Sequence, residues 1–328
     1  MTAKLRTQAA SMNILHANIV PVPGVRPGSA QAWAAATRPR SLAVALSPVW
    51  VGATLGYVRT GAIDWRAALM VLGAALLMQL VTNLQNDVGY TLRGGERGGG
   101  QGVARTGLPR ATAQGWLGIT QVRGAIVAAA LLATVLGLML VAHRGWPVLA
   151  IGVASLTAAL AYMGGPRPIA YTALGELTVF VFFGLVAVTG TDWVLTGSVG
   201  GVTFLAALTM GGLAAAALAV NNHRDIAHDR AVGRRTFAVS FGARASQQLY
   251  TALLWVPFAL LPAMAWVAGS PWLLLPGLLL PAAWWLRQDF VASAGGLALN
   301  LVLFRTFKLE LWFAALLSAA ALMAKVWG

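Results

Sequence analysis

Long apolar stretches alternate with short polar connections along this chain, and their length predicts its architecture. Nine segments, at 42–58, 67–87, 119–142, 146–162, 172–193, 199–220, 245–267, 272–286 and 307–327, are apolar over roughly the twenty or so residues that cross a hydrocarbon layer. Each is read as a helix, because a backbone in lipid must satisfy its own N–H and C=O groups. The eighth is short and rich in Pro and Trp. Two connections stand out by length: 87–116, which contains a glycine-rich run, and 221–244. Long connections of this kind are commonly lids or binding loops. The pattern predicts an all-α polytopic membrane protein of about nine helices. Residues 1–32, interrupted by Pro21, Pro23 and Pro27, are expected to be a mobile tail, and residues 33–328 one transmembrane domain.

Composition agrees. Hydrophobic residues make up 58% and charged residues 10% of the 328 residues, against roughly 25% charged in a soluble domain. The absence of cysteine excludes disulfides, thiolate-bound zinc and thiol catalysis. A formal charge of +14 raises nucleic acid as a partner. The basic residues, however, punctuate apolar segments rather than form a polar domain, which argues against it. Of the 23 Lys and Arg, all but Arg59, Arg66, Arg144 and Lys325 fall on one side of the expected spans. The positive-inside bias then places the N-terminus and both long loops in the cytoplasm, the C-terminus outside, and the protein in the inner (cytoplasmic) membrane. No feature indicates an obligate protein partner.

The polar residues that carry chemistry gather at helix ends. Asn221, Asp225 and Asp229 follow an apolar segment at i, i+4 and i+8, on one face of a continuing helix. Two carboxylates so placed near lipid repel unless a cation sits between them. Arg224, Arg230, Arg234 and Arg235 beside them suit an anion. Asn83 and Asp87 repeat the Asn-x-x-x-Asp spacing at the end of the second segment, on the same side. Magnesium is typically held by one or two carboxylates together with substrate phosphates, so the reading is a magnesium-held diphosphate at a membrane surface. The glycine-rich run lacks the Gly-Lys-Ser/Thr ending of a phosphate-binding P-loop. Glu176, an acid in an apolar context, should face the interior, as a hydrogen-bonding group toward substrate or as a base. Tyr162 and Tyr171 flank the Gly-Gly-Pro-Arg-Pro turn and could stabilise a cation or donate a hydroxyl; core packing explains them equally well. Asp64 and Asp192 are expected in water at the far side, Asp289 in a local pair with Arg287, and His223 and His228 as loop polarity rather than zinc ligands.

Taken together these residues resemble the UbiA superfamily of intramembrane aromatic prenyltransferases, and within it the branch acting on 1,4-dihydroxy-2-naphthoate in menaquinone synthesis. The resemblance runs from about Trp33 to Gly242. It rests on Arg38-Pro-Arg-Ser-Leu42, Asn83-Leu-Gln-Asn-Asp87, Ala170-Tyr-Thr-Ala-Leu-Gly-Glu176 and Asn221-Asn-x-Arg224-Asp225-x-x-x-Asp229-x-x-x-Gly233-Arg-x-Thr236. It implies a bundle with a central cavity open to the cytoplasm and to lipid. Asp87, Asp225 and Asp229 would bind Mg2+ and the diphosphate of a polyprenyl substrate, helped by Asn83 and Asn221. Arg224 and Arg234 would contact the diphosphate, with Arg234 standing where Lys is usual. Glu176 and Tyr171 would lie toward the aromatic acceptor, and Arg38 is counted among the substrate-binding residues. Arg110, in Gly107-Leu-Pro-Arg110, or Arg105 would fill the loop's arginine position. One departure is plain: Tyr90 stands where a second motif Asp is usual, and the resemblance leaves open whether Glu96 swings in, the metal is bound differently or activity is weak.

Two other classes compete. Paired polar breaks in corresponding halves also mark transporters, whose sites lie near the bilayer midplane, whereas these Asp residues lie at segment ends. A catalytically silent relative is motivated by Tyr90.

Overall fold

The computed structural model describes residues 24–95, 107–293 and 296–327, which form a helical bundle with no strand among the described residues. In chain order the helices are α1 (Ala30–Thr37), α2 (Ala43–Thr60), α3 (Trp65–Leu92), α4 (Ile119–Arg144), α5 (Trp146–Met163), α6 (Gly175–Thr196), α7 (Gly201–Arg224), α8 (Ile226–Ala231), α9 (Phe237–Ala259), α10 (Leu261–Ala268), α11 (Leu280–Ala292) and α12 (Leu297–Trp327). With α1–α2 and α9–α10 each counted as one, eight helices among the described residues are long and apolar enough to cross a membrane. The segment expected at 272–286 is built in two pieces, a 3-10 helix Pro271–Leu279 that runs into α11. Pro276 and Pro281 remove backbone donors there and prevent one continuous α-helix. The two pieces have a contour of roughly 37 Å, enough for the ~30 Å hydrocarbon core.

α7 is the central element, and α2, α6, α9 and α12 pack around it. Apolar surface alone gives helices in lipid no reason to associate; close backbone approach does. Gly184 and Gly211 provide it, because a Cβ on Gly184 would lie 2.5 Å from the Gly211 Cα and 2.5 Å from the Ala207 carbonyl oxygen. In this contact α6 is wound as a π-helix over Phe180–Thr189, the rare winding often found beside functional sites. Phe182, Phe183 and Val186 on that stretch face a central cavity.

At the end away from the long polar loops the structure corrects one expectation. Asp192 is fully buried, not solvated. It accepts from Arg59 Nη2 at 2.8 Å, Thr203 Oγ1 at 2.8 Å and the Gly200 N–H at 3.1 Å, locking α2, α6 and α7 together. Asp64 behaves as expected, exposed and capping α3 through the Arg66 and Ala67 N–H groups. Asp289 pairs with Arg305 at 2.5 Å, while Arg287 turns to Gln288. Of the tail expected over 1–32, residues 24–32 are described, and they pack: Gly28 N–H donates to the Trp116 carbonyl and Ala32 is buried.

Candidate functional site

The central cavity has a volume of about 820 Å³, in the upper part of the range for small-molecule sites. Its walls are apolar, with Ala74, Ala75 and Met78 of α3, Val141 of α4, Ile151 of α5, Phe182 of α6 and Leu218 of α7 among them. Leu138, Leu149 and Val153 line it and are also exposed on the apolar outer surface, so it opens sideways toward lipid. Arg38, Arg40, Ser41, Asn86, Tyr162, Asn221 and Arg224 line its polar end.

The second motif keeps the register that its spacing predicts. α7 ends at Arg224 because Asp225 leaves helical geometry (φ −97°, ψ 12°), and α8 follows at once. Asp225 N–H still donates to Asn221 O at 3.1 Å and Asp229 N–H to Asp225 O at 2.7 Å, so the i, i+4 bonds continue through the break. Asn221 lines the cavity, while its neighbour Asn222 donates to Glu176 Oε1 at 2.9 Å. Glu176 is buried as expected, and its Oε2 has no partner among the described residues. Arg224 grips Asp225 with two bonds of 2.8 and 2.7 Å and reaches Asn300 with its remaining nitrogen. Gly233, at φ +75°, turns the chain after α8 so that Arg234 folds back onto Asp229 at 2.6 Å. A residue with a side chain would be strained there. The same guanidinium donates to the Ala170 carbonyl at 3.0 and 2.8 Å. Asp229 is fully buried, and its Oδ2 has no partner among the described residues. Burial pushes its carboxyl above the usual carboxylate range, with Arg234 pulling the other way.

The first motif is arranged differently. Asn83 and Asp87 do share a face of α3, and Asn83 borders the cavity, but both side chains are tied to neighbouring protein groups. Asn83 Nδ2 donates to the Thr37 carbonyl at 2.8 Å and to Ser41 Oγ at 2.9 Å, tying α3 to the break after α1. Asp87 is fully buried, accepting from the Ala111 N–H at 2.8 Å, the Thr112 N–H at 2.8 Å and Thr112 Oγ1 at 2.5 Å. Both carboxylate oxygens are thus engaged in anchoring the loop before α4. The residues of α3 turned toward the second motif are Asn86, at the cavity wall, and Tyr90. Tyr90 accepts from Arg234 through its hydroxyl. Arg110 stacks on the Tyr90 ring at 4.4 Å and Arg234 approaches it at 5.1 Å. The anchored loop is therefore what carries Arg110 to the site. Arg105 and Glu96 lie outside the described residues.

Tyr162 lines the cavity. Tyr171 has a hydroxyl with no partner among the described residues, and Arg93 and Arg234 both lie 5.6 Å from its ring. Arg93, not singled out by its sequence, donates to the Met163 and Gly165 carbonyls at 2.7 and 2.6 Å, holding the turn that presents Tyr171. That turn sits close to α3 because Gly89 has no side chain; a Cβ there would be 2.9 Å from Met163. Arg38 adopts a left-handed backbone (φ 54°), unlike any other non-glycine residue described, at the cavity mouth.

No group of three His, Cys, Asp or Glu among the described residues is placed to hold a metal ion by itself. The donor set still fits magnesium, which needs only one or two carboxylates when substrate phosphates and waters complete its shell. Asp229 Oδ2, beside Asp225 in this cluster, is a buried carboxylate oxygen without a partner among the described residues and is open to a cation.

The comparisons with known proteins match this geometry. The model of the UbiA prenyltransferase family covers residues 45–309. The 1,4-dihydroxy-2-naphthoate octaprenyltransferase of Escherichia coli (strain K12) is 32% identical over 68% of this chain and 73% of its own length. That of Bacillus subtilis (strain 168) is 30% identical over 88% and 91%. A solved UbiA homolog from Archaeoglobus fulgidus bound to GPP and Mg2+ superposes with a TM-score of 0.65 at 15% identity, covering 88% of this chain and 99% of that one. A family model matched over residues 45–309 and relatives of 30% identity or more matched over most of their length lead to one assignment: the chain belongs to the UbiA prenyltransferase family.

Proposed function

We propose that the protein transfers a polyprenyl group from its diphosphate to 1,4-dihydroxy-2-naphthoate, with magnesium as cofactor, as a step of menaquinone biosynthesis. The observation that carries this reading is the junction of an apolar, laterally open cavity with a buried Asp/Arg cluster at its polar end. An isoprenoid chain fits the first and a diphosphate the second. The naphthoate relatives, at 30% and 32% identity, support the choice of acceptor.

In this reading Asp225 and Asp229, with Asn221, hold the metal. Magnesium, when bound, neutralises diphosphate charge and so makes the diphosphate a better leaving group. Arg224 and Arg234 release part of their grip on the carboxylates and take diphosphate oxygens, for which a planar guanidinium is well shaped. The allylic C–O bond breaks, its electron pair leaving with the diphosphate. Tyr162 and Tyr171 present aromatic faces toward the carbocation, as they would toward any cation. The electron-rich ring of the acceptor attacks, and carbon dioxide and a proton leave it. Glu176, hydrogen-bonded on one side only among the described residues, is suited to orient an acceptor hydroxyl. The apolar walls keep water from intercepting the cation.

The basic end of the bundle faces the cytoplasm in this reading, with the N-terminus on that side and the protein in the cytoplasmic membrane. The transporter alternative fits less well, because the charged cluster lies at the ends of α3 and α7 rather than midway along them. The test is conversion of radiolabelled polyprenyl diphosphate and dihydroxynaphthoate to a lipid product in membranes containing the protein. Product that disappears on Asp225→Ala supports the assignment. No product, under conditions where the E. coli relative gives it, overturns it.

A further inference from the structure

We propose that the diphosphate is held asymmetrically, by metal on the α7–α8 side and, on the α3 side, by a metal-free pair of guanidinium groups, Arg110 and Arg234, mounted on Tyr90. The inference rests on the prenyl-diphosphate reading and adds how this chain in particular binds it. Two observations converge. First, the α3 side offers a metal little. Both oxygens of Asp87 are engaged by the N–H groups of Ala111 and Thr112, and the position turned to the site is a phenol. A neutral phenol is a poor ligand for a hard divalent cation, which selects carboxylate and phosphate oxygen. Second, the same phenol organises positive charge. Its ring carries Arg110 on a face at 4.4 Å and lies 5.1 Å from Arg234, and its hydroxyl accepts from Arg234. Arg110 and Arg234 are both buried, so their charges are little screened by water and act strongly on an anion brought beside them.

Asp229 pairs with Arg234, and Asp87 is set aside as the loop's anchor. A bound diphosphate would therefore meet Asp225 and Asp229 through metal, with Arg224 beside them, and Arg110 and Arg234 directly on the α3 side. Replacing a metal contact with a stacked guanidinium keeps this side of the site positively charged. It also exchanges a site that empties on chelation for one that does not. A guanidinium on an aromatic face is fixed in plane, which a lysine ammonium would not be. Tyr90 is thereby a positioning residue for two binding groups, and not merely a lost carboxylate.

The experiment counts metal. The full-length protein in nanodiscs is titrated with Mn2+ in the presence of geranyl S-thiolodiphosphate, an unreactive allylic diphosphate, and bound Mn2+ is read from the loss of the free-ion EPR signal. One Mn2+ per chain is expected for the wild type and two for Tyr90→Asp. With metal chelated, the wild type should retain weakened but measurable analogue binding. Arg110→Gln should lower that binding at least ~10-fold, about 1.4 kcal/mol, without changing the Mn2+ count. Tyr90→Phe, which keeps the ring, should retain most of it, and the thermal transition of each variant verifies folding. Two Mn2+ in the wild type, or metal-free binding indifferent to Arg110→Gln, overturns the proposal while leaving prenyl-diphosphate binding intact. Failure of the analogue to bind at any Mn2+ concentration overturns the prenyl-diphosphate reading and this inference with it.

Discussion

Tyr90 of α3 and Arg234, 144 positions further along the chain, meet by a buried hydrogen bond that ties the end of α3 to the segment after α8. Neither residue is exposed. A hydrogen bond to a charged group of this kind contributes about 1.5–3 kcal/mol. Tyr90→Phe removes it while keeping the ring under Arg110, so the variant should lose roughly that much stability and little of its packing. Thermal unfolding of the detergent-solubilised protein measures the loss. An unchanged transition would mean that the two segments are not coupled through this contact.

Asp87 makes a sharper case, because its sequence and its structure point to different work. A metal ligand and a loop anchor differ in what fails when the charge is removed. Asp87→Asn keeps one acceptor oxygen and turns the other into a donor facing an N–H group, weakening the hold on Ala111 and Thr112. The expected outcome is faster proteolysis near 107–117 and a raised KM for the prenyl diphosphate, with Mn2+ affinity within about a factor of 3 of wild type, a shift below 1 kcal/mol. Asp229→Asn should do the opposite, leaving the loop protected and abolishing Mn2+ binding. Equal loss of Mn2+ affinity in both variants would restore Asp87 as a ligand.

That contrast shows where the sequence stops being informative. The helical period places Asn83 with Asp87 and Asn221 with Asp225 correctly on common faces, and the apolar runs locate most of the helices, although α9 and α12 begin at Phe237 and Leu297 rather than at 245 and 307. Periodicity does not say what each face meets. For α7 the face carrying Asn221 lines the cavity; on α3 Asn83 and Asn86 border it, while Asp87 is turned to the loop before α4 and Tyr90 meets Arg234. The break at 272–286 was signalled by its prolines, but burial of Asp192 was not, because the Arg59 and Thr203 groups that satisfy it come from other helices. Tyr90 was visible only as a departure from a motif. Its role as a stacking surface needed Arg110 to arrive through a turn held by hydrogen bonds to Asp87.

Arg38 combines strain with position. Its left-handed backbone at the cavity mouth costs of order 1–3 kcal/mol in a non-glycine residue. Arg38→Gly relieves the strain and removes the guanidinium together. The variant should therefore be as stable as wild type or more so, yet bind prenyl diphosphate more weakly. Arg38→Ala, which keeps the strain and loses the charge, should be impaired in binding without the gain. Melting temperatures and KM values of the two variants separate the effects; a destabilised Arg38→Gly would show that the side chain, not the backbone, holds this turn.

The pH dependence of the ligand-free protein follows from Asp229. Burial raises its carboxyl above the usual range, so the folded state holds that proton more tightly than the unfolded state does. Stability from this group is therefore greatest at acid pH and falls as pH rises through the raised value. Magnesium requires the deprotonated form and should compensate the loss at neutral pH. In EDTA, the melting temperature of wild type relative to Asp229→Asn should decline from acid toward neutral pH, and added Mg2+ should flatten the decline. A difference independent of pH and Mg2+ would mean that Asp229 is ionised throughout and that its pairing with Arg234 satisfies it fully.

The absence of cysteine allows orientation to be tested directly, because a single introduced thiol is the only one in the protein. Ser198 is exposed at the end where Arg59 meets Asp192, and Arg167 is exposed on the turn that Arg93 holds beside the cavity mouth. If the basic end is cytoplasmic, Ser198→Cys should react with a membrane-impermeant maleimide added to spheroplasts, and Arg167→Cys only after lysis. Removing Arg167 lowers the positive charge on its side by one among many, too little to invert the topology. The same two sites distinguish the arrangement of the catalytic cluster: cytoplasmic labelling of Arg167→Cys puts the mouth on the side where a charged diphosphate, which cannot cross lipid unaided, would have to be supplied. Labelling of Arg167→Cys in intact spheroplasts would place the diphosphate site outside, and the biosynthetic reading would lose its substrate.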